Sequence, residues 1–129
     1  MYFSILAIAF GASAGAVGRW LLGLWLNAIY PAVPLGTLAA NLLGGYLVGL
    51  AMAYFGGHPG ISPLWRLGLV TGLLGGLTTF STFSAEVVEN LLEGRFAPAL
   101  AGTLVHVLGS FTMTAMRIAT MKLFSFNNP

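Results

Sequence analysis

Few side chains in this chain can do chemistry, and most of them fall in one stretch. Residues 71–84 read Thr-Gly-Leu-Leu-Gly-Gly-Leu-Thr-Thr-Phe-Ser-Thr-Phe-Ser, so the pair Gly75-Gly76 precedes Thr78, Thr79, Ser81, Thr82 and Ser84, interleaved with Phe80 and Phe83. Glycine costs a helix about 1 kcal/mol per position, and Thr and Ser hydroxyls offer the backbone competing hydrogen bonds. The pattern predicts a helix that breaks near 75–80 and resumes before Glu86. A break frees backbone carbonyls and amides, the groups with which interrupted helices of transport proteins hold ions. A second set is His106, Ser110 and Thr114 at i, i+4 and i+8, preceded by Gly102. Residues four apart stack on one helix face, so these three predict a continuous polar track about two turns long. Asn41, Arg19 and Glu86 stand alone in apolar surroundings. Each is costly in hydrocarbon without a partner or water, although an arginine also has the option of snorkelling to the interface.

The same inventory excludes other chemistry. Asp and Cys are absent and there are two His, so neither a nucleophile–base–acid set nor a side-chain metal site can be assembled. No lysine follows the glycines in the manner of a phosphate-binding loop. No enzyme is expected.

These residues need elements to hold them, and composition says which. The chain has 129 residues, 57% hydrophobic and 6% charged, against about 25% charged in a soluble domain; its mean hydropathy is +0.90. Five cations against three carboxylates form no basic patch for nucleic acid. The partner implied is the lipid bilayer. A spanning helix needs about 20 mostly apolar residues, and four such stretches fit, at about 3–26, 35–55, 63–92 and 98–124, making residues 1–129 a single transmembrane domain. The breaks carry Pro31 and Pro34, the run Gly56-Gly57-His58-Pro59-Gly60, and Glu93-Gly94-Arg95. The opening Met1-Tyr2-Phe3-Ser4 lacks the Lys or Arg of a signal peptide, so the first stretch reads as a span. An all-α membrane protein with four transmembrane helices follows, the third interrupted. Arg66, Arg117 and Lys122 on one side face Arg95 on the other, a weak bias for orientation. Small residues at four-residue spacing (Ala7, Gly11, Gly15; Ala40, Gly44; Gly45, Gly49) allow close helix approach.

The string Gly75-Gly76-Leu77-Thr78-Thr79-Phe80-Ser81-Thr82-Phe83-Ser84 closely resembles the signature of the Fluc (CrcB) fluoride channels, as do Gly18-Arg19 and Gly36-Thr37-Leu38-Ala39-Ala40-Asn41. The resemblance touches all four spans. It implies an antiparallel, dual-topology homodimer in the bacterial inner membrane, with two narrow pores that export fluoride passively. It also implies a central sodium ion held by backbone carbonyls at the break, here those of Gly75 and Thr78. Along the fluoride path it leads us to expect Asn41, Phe80, Ser81, Thr82, Phe83, His106, Ser110 and Thr114, with Arg19 and Glu86 nearby. Fluoride itself comes from the resemblance, because no charge count or spacing separates it from chloride or hydroxide.

Other classes compete with a channel. A proton-coupled exporter of the small four-helix multidrug type has similar length, but needs a carboxylate in the first span, and this first span has none. A non-transporting subunit would leave Gly75–Ser84 without a purpose.

Overall fold

The computed structural model describes residues 1–126. Its elements are α1 (Tyr2–Leu26), α2 (Leu35–Gly57), α3 (Pro63–Arg66), a π-helical segment Leu67–Leu74, α4 (Gly75–Leu77), α5 (Phe80–Leu92) and α6 (Phe96–Phe126). Four helical stretches, of 25, 23, 30 and 28 residues, are long and apolar enough to cross a membrane. The protein is all-helical, as its composition implies.

The ends of these helices follow from local chemistry. Pro31 and Pro34 stop α1 from running into α2, and the side chain of Asn27 accepts a hydrogen bond from Gly36 N at 2.8 Å, folding the connection back. Ser62 accepts from Leu64 N and Pro63 occupies the first position of α3, both favourable at a helix start. At the end of α5 the chain reverses at Gly94, whose φ of +74° suits only a residue without a side chain. Asn90 fastens that turn. Its side chain donates to Ala32 O at 2.8 Å and accepts from Arg95 Nε at 2.8 Å.

The third stretch is not one regular helix. Its first part widens into π turns, and the amide of Gly75 faces Val70 O five residues back; such widening marks functional sites more often than chance. Thr78 (φ −79°, ψ 152°) and Thr79 (φ −150°, ψ 117°) are then extended. Helix resumes at Phe80, capped by Thr79 Oγ1, which accepts from Thr82 N at 3.2 Å.

Packing is close because glycines face backbone. A Cβ on Gly15 of α1 would run into the carbonyl oxygen of Leu73, and α1 lies directly against the π segment and α4. A Cβ on Gly49 of α2 would stand 2.6 Å from Thr114 O, where α2 packs on α6. In lipid, where apolar side chains gain nothing by leaving solvent, such contact supplies the attraction between helices. The interior is correspondingly thin, with Ala40, Leu74, Leu77, Phe83 and Ala99 its buried apolar members. Large apolar side chains such as Phe10, Trp25, Phe80, Leu92 and Phe111 face outward.

Candidate functional site

The extended pair Thr78–Thr79 interrupts the third stretch, and its polar backbone must find partners from other helices. Asn41 of α2 supplies them. Thr79 N donates to Asn41 Oδ1 at 2.8 Å and Asn41 Nδ2 donates to Thr79 O at 3.0 Å, so one side-chain amide pairs with a backbone unit on both edges. Asn41 Nδ2 also lies 3.0 Å from His106 Nδ1 of α6, and its second hydrogen is directed there. An amide nitrogen only donates, so Nδ1 accepts and the proton of a neutral His106 ring sits on Nε2. That Nε2 is buried and has no hydrogen-bond partner among the described residues. The His106 ring stacks on Phe83 with centroids 4.5 Å apart and planes at 25°.

Beside this network an open groove of about 390 Å³ runs between α2, α5 and α6, bordered by Asn41, Phe80, Phe83, His106, Ser110 and Thr114. Phe80 and Phe83 meet edge to face, 5.6 Å apart at 72°. Phe83 is buried at 8% exposure whereas Phe80 stands out at 77%. The polar track lies on the face of α6 that meets α2. Thr114 donates to Gly45 O at 2.8 Å and Ser110 O at 3.0 Å, while the Ser110 hydroxyl has no protein partner among the described residues. Ser81 and Thr82 gather at the start of α5: Thr79 Oγ1 donates to Thr82 Oγ1 at 3.0 Å and lies 3.3 Å from Ser81 Oγ.

Three sequence expectations look different here. Of the residues expected along the fluoride path, Asn41 and Thr114 are tied into the protein: both amide hydrogens of Asn41 and the hydroxyl hydrogen of Thr114 are engaged. Among the described residues that line the groove, the uncommitted donors are His106 Nε2 and Ser110. Arg19 does not simply snorkel, since its Nε donates to Gly76 O at 3.1 Å across to the last turn before the break.

Glu86 accepts from Thr37 Oγ1 at 2.5 Å. Thr37 also borders a second cavity of about 340 Å³ that includes Arg19, Asn27 and Thr82. Thr37 and Thr79 went unremarked as site residues; Thr37 lies four positions before Asn41, and that spacing alone marks a shared face. For a cation the arrangement leaves backbone oxygen. No group of three His, Cys, Asp or Glu side chains gathers among the described residues. Among the described residues the carbonyls of Gly75 and Thr78 accept no hydrogen bond from another element, and Gly75 is exposed on the surface of the single chain. Unpaired carbonyl oxygens are ligands for a hard cation.

An interrupted apolar helix, cross-linked by Asn41, faces a groove of neutral donors and aromatic rings, and known proteins match the chain over nearly all of its length. A family model described as CrcB-like protein, Camphor Resistance (CrcB), matches residues 6–118. A protein of Tolumonas auensis named "Fluoride-specific ion channel FluC" is 58% identical over 95% of this chain and 97% of its own. Proteins of the same name from Chromobacterium violaceum and Chromohalobacter salexigens are each 60% identical over 93% of this chain, covering 95% and 91% of theirs. With the whole of the third stretch, its groove and its cross-links inside the matched region, the chain belongs to the CrcB family.

Proposed function

We propose that the chain is a passive, fluoride-selective ion channel that lets fluoride leave the cytoplasm and so protects the cell from it. The observation that carries this reading is near-full-length identity of 58–60% to relatives named for fluoride conduction. The local geometry agrees with it. Fluoride accepts hydrogen bonds and never donates, so a dehydrated ion needs donors in place of its water. The Ser110 hydroxyl and His106 Nε2 are such donors, and they are neutral, which avoids the deep binding well that would slow release. Phe80 and Phe83 add positive ring edges without adding a cation. Asn41 enters this reading as the residue that holds Thr79 and His106 in place, and Ser81 and Thr82 continue the hydroxyl lining.

In this reading the working unit is an antiparallel, dual-topology homodimer in the inner membrane. A second copy would cover the exposed face that carries Phe80 and Gly75. Sodium, held by the carbonyls of Gly75 and Thr78 from both copies, would supply a fixed positive centre tying the two interrupted helices together. Its removal is expected to weaken the dimer and leave selectivity unchanged.

The test is ion release from liposomes carrying the purified protein, comparing fluoride with chloride, with and without a proton gradient. Fluoride release that needs no second gradient supports the channel. Strict coupling to protons would replace it with the exporter, and equal release of chloride would remove the selectivity.

A further inference from the structure

Arg117 lies on α6 eleven positions after His106 and three after Thr114, on the same face as the polar track. Helices α2 and α6 run parallel here, pairing Asn41 with His106, Gly45 with Thr114 and Gly49 with Arg117. A Cβ on Gly49 would stand 3.2 Å from Arg117 Cβ, so the missing side chain leaves room for the arginine stem. The guanidinium carbon sits 5.5 Å from the centre of the Tyr46 ring on α2. Its Nε is buried without a hydrogen-bond partner among the described residues. No carboxylate neutralises it among the described residues: the ion pair there joins Arg95 to Glu93, and Glu86 is bonded to Thr37. The residue as a whole is partly exposed, so its charge is open to solvent; a full positive charge near the end of an apolar span, held by an aromatic face and without a carboxylate among the described residues, marks a functional position.

We propose that Arg117 is an anion-collecting residue, a fixed cation at the α2–α6 mouth of the groove that raises the local concentration of small inorganic anions ahead of Ser110 and Thr114. The proposal rests on the channel reading above. At a rise of about 1.5 Å per residue, Arg117 stands roughly 10 Å along the helix from Ser110 and 16 Å from His106. One unit charge at that distance, in surroundings of intermediate dielectric, raises anion occupancy about five-fold at low salt. The effect must collapse when the screening length drops below the separation, from about 20 Å near 20 mM to about 6 Å near 300 mM. Tyr46 has the complementary role. It holds the guanidinium by its ring face, so the charge stays at the mouth without a carboxylate that would cancel it.

The experiment compares the parent protein, Arg117→Gln and Arg117→Lys in liposomes, measuring initial fluoride release with an electrode at ionic strengths of about 20 and 300 mM set by impermeant salt. Arg117→Gln is expected to release fluoride about three- to five-fold more slowly at the lower ionic strength and within two-fold of parent at the higher, with Arg117→Lys close to parent at both. Equal rates for parent and Arg117→Gln at the lower ionic strength, or the same deficit at both, overturn the proposal. Should Arg117→Gln fail to fold, the parent alone decides, because its own rate must fall about three-fold between the two ionic strengths and a flat profile overturns the proposal. Parent liposomes that release no fluoride at either ionic strength overturn the channel reading itself, and this proposal with it.

Discussion

Replacing Asn41 with leucine attacks the interrupted segment at three atoms at once. The Thr79 amide loses its acceptor at 2.8 Å, the Thr79 carbonyl its donor at 3.0 Å, and His106 Nδ1 its donor at 3.0 Å. Thr79 and His106 are 8% and 4% exposed, so water does not readily take over. A buried polar group left unpaired costs about 1–3 kcal/mol. Three of them, with partial relaxation, predict a loss of roughly 3–6 kcal/mol, a large share of the ~5–15 kcal/mol that holds a typical domain. Asn41→Asp separates the contributions. It keeps an acceptor for the Thr79 amide and removes both donors, so its loss should be about two-thirds as large, increased where the carboxylate faces Thr79 O. Amide hydrogen exchange at Thr79, read in detergent or nanodiscs beside the thermal midpoint, checks this directly. Local opening made easier by ~2 kcal/mol speeds exchange roughly 30-fold. Should Asn41→Leu exchange at Thr79 within two-fold of parent, with an unchanged midpoint, the bridge contributes nothing and the account given of the site fails.

Other perturbations follow from the same contacts. Gly15→Ala would drive a methyl group into the Leu73 carbonyl, and since backbone cannot step aside, little folded protein should be recovered in size-exclusion chromatography. Phe83→Leu removes a buried ring stacked on His106 and should cost about 1–2 kcal/mol, read from the melting temperature of the purified protein; both it and Phe80→Leu should depress fluoride release. Thr37→Val leaves Glu86 without its 2.5 Å donor, and denaturant titration should register a loss of about 1–3 kcal/mol.

The four long apolar helices were legible because spanning length and apolar composition are properties of contiguous residues. The alignment of His106, Ser110 and Thr114 was legible for a related reason, since helical spacing alone places them on one face. The segment 75–84 announces itself through paired glycines and clustered hydroxyls, and the extended Thr78 and Thr79 fall inside it. What stayed hidden is tertiary. Asn41 lies 38 positions from Thr79 and Arg19 lies 57 from Gly76, and no local pattern says that these side chains meet those carbonyls. The π turns of Leu67–Leu74 were equally silent. Leu-Gly-Leu-Val-Thr-Gly-Leu-Leu reads as an ordinary apolar helix, and the wider turns accompany the contact of Gly11 and Gly15 on α1 with the backbone at Gly68 and Leu73. The partners of Asn41 were hidden for the same reason: an isolated amide in an apolar stretch shows no partner until the chain folds and engages both its hydrogens.

The glycine face of α1 also has a history during synthesis. Its partner, the stretch from Leu67 to Leu77, emerges from the ribosome more than fifty residues later, as the 57-residue separation of Arg19 from Gly76 measures. At roughly 5–20 residues per second that interval lasts about 3–11 s. An α1 that inserts in that interval would have acyl chains in the furrow beside Gly11 and Gly15, and an arginine yet to meet its carbonyl. Docking must then expel lipid and insert the guanidinium in one event. Helix insertion and helix association are therefore separate stages for this chain, and a bilayer whose tails leave that furrow slowly would delay maturation without altering the finished protein.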